Sequence, residues 1–516
     1  MSGPMLPPAV AQARSNPIGF RRALGSGLRP LVAACRQAPL CDNFQQPTTY
    51  NTLNTRILFT APSTTDLTDI VVGIPGSYWP STPNETDWTT SYTVLAAIEY
   101  PLSDATTPAP LYKDGGRTLT VTPGRTLARF DPWAGVIPAG AQFAVRLYAS
   151  WSVGAFPLST YEGGYLVGGY TNLGTDLTDY SLTANSSVPS GNKANTVSQT
   201  GFGAVAVYAR QRTQTAVLGL LGDSITAGKT GAEAPDPKTG ALFLEKGLRG
   251  EIPVMNIARG TDGMALYMAR NEMRNLFFRA PDGGVAITDM VFSFGRNDLT
   301  SSLASLQSMY QTCIGAFLAR GIRVRGVTIT PRTTSTDGWT STANQTVDST
   351  ETRRQEFNSW LLANWSGLGL TGLLDWAHVI DPTDSGKWGF DTGLSGSTQN
   401  GAAPFATMSG RAIGSVARAA YNGNSASGSG YTNGASIPCI IYPMAGDSGA
   451  GGGAVTGVVN GTGNVTTYTV TAGGDYQYPP YITPPGRWTN DGLHPNVRGC
   501  IEILYQTGFG PQMFRL

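Results

Sequence analysis

Hydrophobic positions along this chain follow two different rhythms. From about residue 48 to 200, short apolar runs stand between clusters of Gly, Pro, Asn and Asp. They include Arg56-Ile57-Leu58-Phe59, Asp69-Ile70-Val71-Val72, Tyr92-Thr93-Val94-Leu95 and Thr118-Leu119-Thr120-Val121. The run from Gln142 to Tyr148 and Tyr165-Leu166-Val167 complete the set. Short β-branched and aromatic runs spaced by turn residues predict an antiparallel sandwich or jelly roll.

The rhythm then changes. Ala216-Val217-Leu218-Gly219-Leu220-Leu221 is a continuous apolar run, as expected of a strand buried on both faces of a parallel sheet. Helical stretches are predicted at 240–250 and 265–279, the second carrying Leu266, Met273 and Phe277. Leu303, Leu306, Tyr310, Cys313 and Phe317 recur at steps of three and four, an amphipathic helix that Gly321 ends. A further helix is expected from about Thr352 to Asn364. Between these lie strand-like segments around Val254-Met255-Asn256, Met290-Val291-Phe292, Val324 to Ile329, Leu373-Leu374-Asp375 and Val379-Ile380-Asp381. Strands alternating with helices imply a three-layer α/β/α fold with a parallel sheet and right-handed crossovers.

Between Lys387 and Arg487 charge nearly vanishes, leaving Asp391, Arg411, Arg418, Asp447 and Asp475. A structureless loop of that length is unusual. The stretch at about 390–485 is therefore predicted to be a Gly/Ser/Thr-rich β insertion with strands near Ala454 to Val459 and Tyr468 to Thr471. It is similar to the short Gly-rich β-modules of phage tail and fibre proteins. The expected organisation is an N-terminal arm over 1–47, a β-sandwich or jelly-roll domain over 48–205, and a catalytic domain over 212–516 that carries the insertion.

Composition narrows the setting. A chain of 516 residues has room for two or three domains. Its net charge of +1 gives no electrostatic reason to expect nucleic acid or an anionic membrane as partner. Charged residues make up 13% against a typical quarter, and Gly numbers 65, so the surface must be Ser, Thr, Asn and Gly. Such a surface suits β-rich extracellular or virion proteins. Cys35, Cys41, Cys313, Cys439 and Cys500 have no metal-ligand spacing, and with two histidines no metal site is expected. Reduced thiols are expected, a Cys35–Cys41 bridge being the alternative. No apolar run approaches the ~18 residues of a membrane helix. Arg21-Arg22 and Val32-Ala33-Ala34-Cys35 have the look of export signals, but Arg29 and Pro30 interrupt the place of the apolar core, so none is expected. A phage virion component, released by lysis, would carry such a surface without an export signal.

Candidate chemistry lies where the first parallel strand stops. Gly222-Asp223-Ser224 would leave Ser224 at the strand's carboxyl end, where open α/β sheets place their sites. The same tripeptide at Gly446-Asp447-Ser448 is read as a loop of the insertion. Only the first is followed in order by Asn256…Gly260, Gly295-Arg296-Asn297-Asp298 and Asp491-Gly492-Leu493-His494-Pro495-Asn496. Together these resemble the four blocks of the SGNH (GDSL-type) esterase and lipase family, over about 215–385 and 485–510. The segment from Arg129 to Tyr148 resembles the β-domain that precedes the catalytic domain in some SGNH carbohydrate esterases.

Acyl transfer needs a nucleophile, a base, a group to orient the base, and donors for the oxyanion. Ser224 is the candidate nucleophile, His494 the base and Asp491 its orienting partner. Asp375-Trp376-Ala377-His378 has identical spacing, but it sits in an apolar, strand-like run where a histidine is expected to be packed. The resemblance implies oxyanion donors at the Ser224 N–H, the Gly260 N–H and the Asn297 side chain, and no cofactor. Asn256-Ile257-Ala258-Arg259-Gly260 has Ala where the family often has Gly, which leaves Gly263 open as donor. Asp223 is expected to support the turn. Fold alone does not name a substrate. No long hydrophobic lid appears, and Trp488, with Trp339 and Trp388, would either stack on sugar rings or pack under loops. The expected activity is serine-esterase removal of short acyl groups, in first place O-acetyl groups on a bacterial surface polysaccharide. The alternatives are an inactive structural or glycan-binding virion protein, or a lipid or aryl esterase. Expected partners are the polysaccharide, other virion or tail proteins and further copies of the chain, in a virion or extracellular setting.

Overall fold

The fold is taken from a computed structural model, which describes residues 29–35, 37, 42–46, 52–78, 85–102, 108–151, 156–160, 170–173, 200–202, 205–227, 243–391, 405–417, 420–421, 424–425, 434–447, 451–461 and 464–514. The strand expected at Tyr165-Leu166-Val167 lies outside them, as do Cys41, Ser448 and most of the expected arm. Among the described residues no disulfide joins Cys35, Cys313, Cys439 or Cys500.

Five parallel strands carry the site: β1 (Leu218–Gly222), β2 (Val254–Asn256), β3 (Asp289–Ser293), β4 (Arg323–Val327) and β5 (Gly372–Leu374). Their spatial order is β2-β1-β3-β4-β5, so the order reverses next to β1. That reversal opens a crevice at the carboxyl ends, directly beyond Gly222. Alternation along the strands feeds two cores. Val217, Leu221, Met290, Phe292 and Val324 face the helices Leu303–Leu318 and Glu351–Asn364 through Leu306, Tyr310, Phe317, Phe357 and Leu361. Leu218, Leu220, Val254, Val291 and Val327 face the opposite layer, where Val497–Thr507 contributes Cys500, Ile503 and Leu504. The predicted period of Leu303 to Phe317 is this buried stripe.

Two expected elements differ. The helix foreseen over 265–279 is broken into Met264–Ala269 and Glu272–Phe277, with Asn271 starting the second piece. Val379 and Ile380 are helical rather than extended, with Asp381 just past the helix end: Asp375 caps Trp376–Ile380 by accepting from the His378 N–H at 3.2 Å.

Ahead of this sheet the two largest antiparallel sheets pack together. One holds Leu31–Ala33, Ala206–Gln211, Leu67–Pro75 and Leu127–Arg129; the other includes Thr52–Thr60, Gln142–Ser150 and Tyr92–Glu99. Ile70, Val72 and Val207 from the first meet Val94, Phe143 and Leu147 from the second in one core. The first sheet's outer face, with Leu31, Val71, Ala206 and Tyr208, joins the core of the α/β part. Tyr208 donates to the Phe277 carbonyl there at 3.1 Å.

Residues 31–35 and 37, within the expected N-terminal arm, stitch the two parts. Leu31–Ala33 pairs with Ala206–Gln211, and four residues later Gln37 bridges Met255 in parallel. The Gln37 backbone donates to Val254 O and accepts from Asn256 N, both at 2.8 Å. Its side chain exchanges bonds of 2.7 and 2.8 Å with the Val207 backbone. The insertion carries its own strands, chiefly the hairpin Gly451–Val459 and Val465–Asp475.

Candidate active site

β1 ends in a turn with little room. A Cβ on Gly222 would lie 2.0 Å from the Ser293 hydroxyl and 2.7 Å from that of Thr226, so only glycine lets β1 and β3 close there. Asp223 turns inward, accepting from the Ile225 N–H at 3.0 Å, and leaves Ser224 half-buried at the rim. Asn256, at the end of β2, holds the same turn by donating to Thr226 O at 3.1 Å. The other Gly-Asp-Ser copy serves a different purpose: Asp447 accepts from the Gln477 and Tyr478 N–H groups inside the insertion.

The histidine arrives on a tight loop in front of the Val497–Thr507 helix. Thr489, fully buried, donates to the His494 carbonyl at 2.7 Å and accepts from Gly492 N at 2.9 Å. Thr489 and Pro495 form a bridge that closes the loop. Gly492 has φ +72°, and a Cβ there would lie 2.0 Å from Thr333 O. The Gly492 carbonyl accepts from Thr333 N and from the indole of fully buried Trp388, each at 2.9 Å.

Held this way, the loop forms a relay. His494 Nδ1 is 2.6 Å from Asp491 Oδ2, and Nε2 is 2.8 Å from Ser224 Oγ. Asp491 Oδ1 accepts from the Leu493 and His494 N–H groups at 2.9 and 2.8 Å. Burial opposes ionisation of this carboxyl, but the bonds from the His494 ring and the two N–H groups outweigh it and hold it well below the usual carboxylate range. An ionised carboxylate only accepts, so Nδ1 carries the proton and Nε2 faces the serine as acceptor. The equally spaced Asp375 and His378 stand apart from this: Asp375 is a helix cap, and His378 is exposed instead of packed.

Around the crevice, Gly295 has φ +136°, and a Cβ there would lie 2.6 Å from Ile329 Cδ1. It starts the short turn Arg296–Asp298 directly after β3. Asn297 Nδ2 donates to Asp262 O at 2.6 Å, which spends one of its two amide protons. Gly260 is buried, and its neighbour Arg259 donates to Gly222 O at 3.0 Å, which lays this segment along the Ser224 turn. Among the described residues neither the Ser224 N–H nor the Gly260 N–H has a hydrogen-bond partner. Gly263 has another duty: a Cβ would strike the Asp298 carboxylate at 2.7 Å, which accepts from Met264 N and Ala265 N at 2.8 and 3.2 Å.

Asp298 and Thr489 were not singled out from sequence as site residues, and Trp388, weighed there as a sugar-stacking or packing aromatic, is a packed one that holds the histidine loop. Asp298 stands beside Asn297 in a recognised block, and Thr489 lies two residues before Asp491, as in many side-chain-capped turns. Trp388 leaves no local trace, its partner being Gly492. Trp488 is half-buried, its indole 3.4 Å from Asp391 Oδ1 and its ring against the Arg498 guanidinium.

No family model and no curated protein matches this chain. Among solved structures it is similar to protein YXIM from Bacillus subtilis, at 12% identity over 65% of this chain and 67% of that one, with a TM-score of 0.25. A GDSL-like lipase from Bacteroides thetaiotaomicron is similar at 13% identity over 32% and 69% of the two chains, with a TM-score of 0.23. A mutant of an acetyl-xylooligosaccharide esterase from Geobacillus Stearmophilus is similar at 12% identity over 32% and 78%, with a TM-score of 0.24.

Proposed function

We propose that this chain is a serine esterase of the SGNH kind, acting on short acyl esters and in first place on O-acetyl groups of a bacterial surface polysaccharide. The observation that carries the proposal is the unbroken relay from Asp491 through His494 to Ser224 Oγ, with contacts of 2.6 and 2.8 Å. In it, His494 Nε2 takes the hydroxyl proton as Oγ attacks the ester carbonyl. The tetrahedral oxyanion is met by the unpartnered Ser224 and Gly260 N–H groups and by the second amide proton of Asn297. As the C–O bond breaks, His494 returns the proton to the departing alcohol and leaves an acyl ester on Ser224. A water then attacks this ester by the same route and releases the acid. Asp491 stays ionised throughout, which fixes the tautomer and stabilises the imidazolium.

For the substrate, support comes from the surface. With 13% charged residues it offers little to an ionic partner, and hydroxyl and amide side chains suit neutral sugars. A virion or extracellular setting fits the same composition, and Trp488 is the aromatic we propose at the sugar-facing rim. The test is hydrolysis of p-nitrophenyl acetate, longer acyl esters and purified O-acetylated polysaccharide, the last followed through the acetyl methyl signal by NMR. Acetyl groups should be released from the glycan, and Ser224→Ala should lower turnover at least a hundredfold without changing Tm. A persistent glycan acetyl signal beside rapid cleavage of octanoyl esters would favour a lipolytic enzyme. No turnover of any ester would leave a binding protein.

A further inference from the structure

The insertion leaves the α/β part and returns to it at a single stem. Phe390 and Arg487 form a bridge, Asp391 N donates to Gly486 O at 3.0 Å, and Gly486 N donates to Asp391 Oδ2 at 2.8 Å. The returning strand runs straight into the loop that bears Asp491 and His494. Beneath this stem lies Arg498, on the first turn of the helix behind that loop, with its side chain 2% exposed.

Each nitrogen of the Arg498 guanidinium donates a hydrogen bond. Nε and Nη2 donate to the two oxygens of Asp391, each at 2.8 Å, and Nη1 donates to Glu502 Oε2 at 2.5 Å. The same Glu502 oxygen accepts from the Tyr442 hydroxyl, at the middle of the insertion, at 2.8 Å. The cation lies 5.0 Å from the Tyr442 ring centre and 5.3 Å from that of Trp488. One side chain thus grips the insertion where it leaves, where it folds back, and beside its return. The helix start is tied to the same place: Asn496 N donates to Trp488 O at 2.9 Å and its side chain to Arg487 O at 2.8 Å. His494 lies two residues before this cap.

Buried charge networks of this kind stabilise no better than apolar packing of equal volume, so stability alone does not account for it. What a bidentate guanidinium bonded through each nitrogen adds is geometry. Its bonds go to Asp391 and Glu502, whereas Ser224 Oγ bonds to His494. We infer that Arg498 is a positioning residue: by locking the insertion's stem to the helix behind His494, it sets the imidazole against Ser224 and makes docking of the insertion a condition of turnover. The inference rests on the serine-esterase reading above.

The test uses the full chain carrying Arg498→Lys, Arg498→Met or Asp391→Asn, with p-nitrophenyl acetate kinetics and histidine-ring NMR. The chain has only two histidines, and exposed His378 serves as internal control. A displacement near 1 Å costs on the order of a hundredfold. For Arg498→Met, kcat should fall roughly 10- to 100-fold with KM within about twofold. Arg498→Lys should fall less, because it keeps the charge but not the fork, and Asp391→Asn should fall in the same direction. In each, the His494 Nδ1 proton signal should shift or broaden while His378 stays put. Wild-type kcat with an unmoved His494 signal in all three folded variants would overturn the inference, as would a loss confined to KM. Should Arg498→Met not fold, Arg498→Lys and Asp391→Asn carry the test. If the esterase reading itself fails, Ser224→Ala keeps its turnover in the same assay, whereas the NMR result still decides whether Arg498 sets His494.

Discussion

Asp223 shows how one residue can serve a turn at a cost to the fold. It has almost no solvent contact, and burial pushes its carboxyl up to about 7. The Ile225 N–H and the charge of His494 pull it down, nearby Asp262 pushes it up, and Arg296 pulls it down again. An unperturbed Asp ionises near 3.8, so between about pH 4 and 7 the folded chain holds a proton that the unfolded chain has lost. The resulting stability is full below pH 4 and is lost as pH rises through 7. Asp223→Asn keeps an acceptor for Ile225, so it should raise Tm above wild type at pH 8 and leave it unchanged at pH 4. Parallel Tm curves for the two proteins across that range would contradict the assignment. At this scale the sequence was most legible for Ser224, Asp491 and His494, whose residue types and order singled them out and which the fold brings into contact at 2.6 and 2.8 Å. It misjudged His378, because the short apolar run around it suits strand and helix equally and Asp375 decided for helix.

Elements were legible where a period extended over several turns, as from Leu303 to Phe317, and less so where contacts distant in sequence decide. The break at Arg270 in the predicted 265–279 helix lies beside such a case. Its first piece starts under the Asp298 carboxylate, which reaches across from the turn after β3. The histidine loop is another. Its shape depends on Thr333 and Trp388, and the local sequence shows only that Gly492 is glycine. Replacing Gly492 forces a side chain into a left-handed backbone, which costs about 1–3 kcal/mol, and drives its Cβ against Thr333 O. Gly492→Ala should therefore lower Tm by several degrees and reduce esterase kcat more than KM. Thermal melts and steady-state kinetics at one pH check both, and unchanged kcat in a folded variant would show that the loop tolerates displacement.

For the whole molecule, the change of rhythm near residue 210 marked the passage from antiparallel sheets to the parallel one, and the loss of charge after Lys387 marked the insertion. How the parts are joined was not legible, because a single Gln37 does much of it. Pro, Ala and Arg composition around it resembles a tail, while its value lies in backbone groups of Val207, Val254 and Asn256 that only the fold brings near. Gln37→Ala would leave the buried Val207 N–H unpaired, at a cost of about 1–3 kcal/mol, while the Val207 carbonyl keeps its bond from Ala34 N. The variant's Tm should fall clearly below wild type, while turnover of the fraction still folded stays normal, since the Gln37 side chain bonds to Val207 alone and its backbone bond to Asn256 N survives the change. A wild-type Tm would mean that the segment is not what ties the parts together.

The central claim is that Ser224 is a nucleophile activated by His494, and covalent trapping tests it most directly. A fluorophosphonate esterifies an activated serine hydroxyl as the P–F bond breaks and fluoride departs, with the hydroxyl proton passing to the base. Intact-mass and peptide mapping after a short incubation should show one adduct per chain, on the peptide that contains Ser224. The adduct should be absent from Ser224→Ala and strongly reduced in His494→Ala. An unlabelled wild-type chain, or a label on another serine that survives Ser224→Ala, would contradict the account.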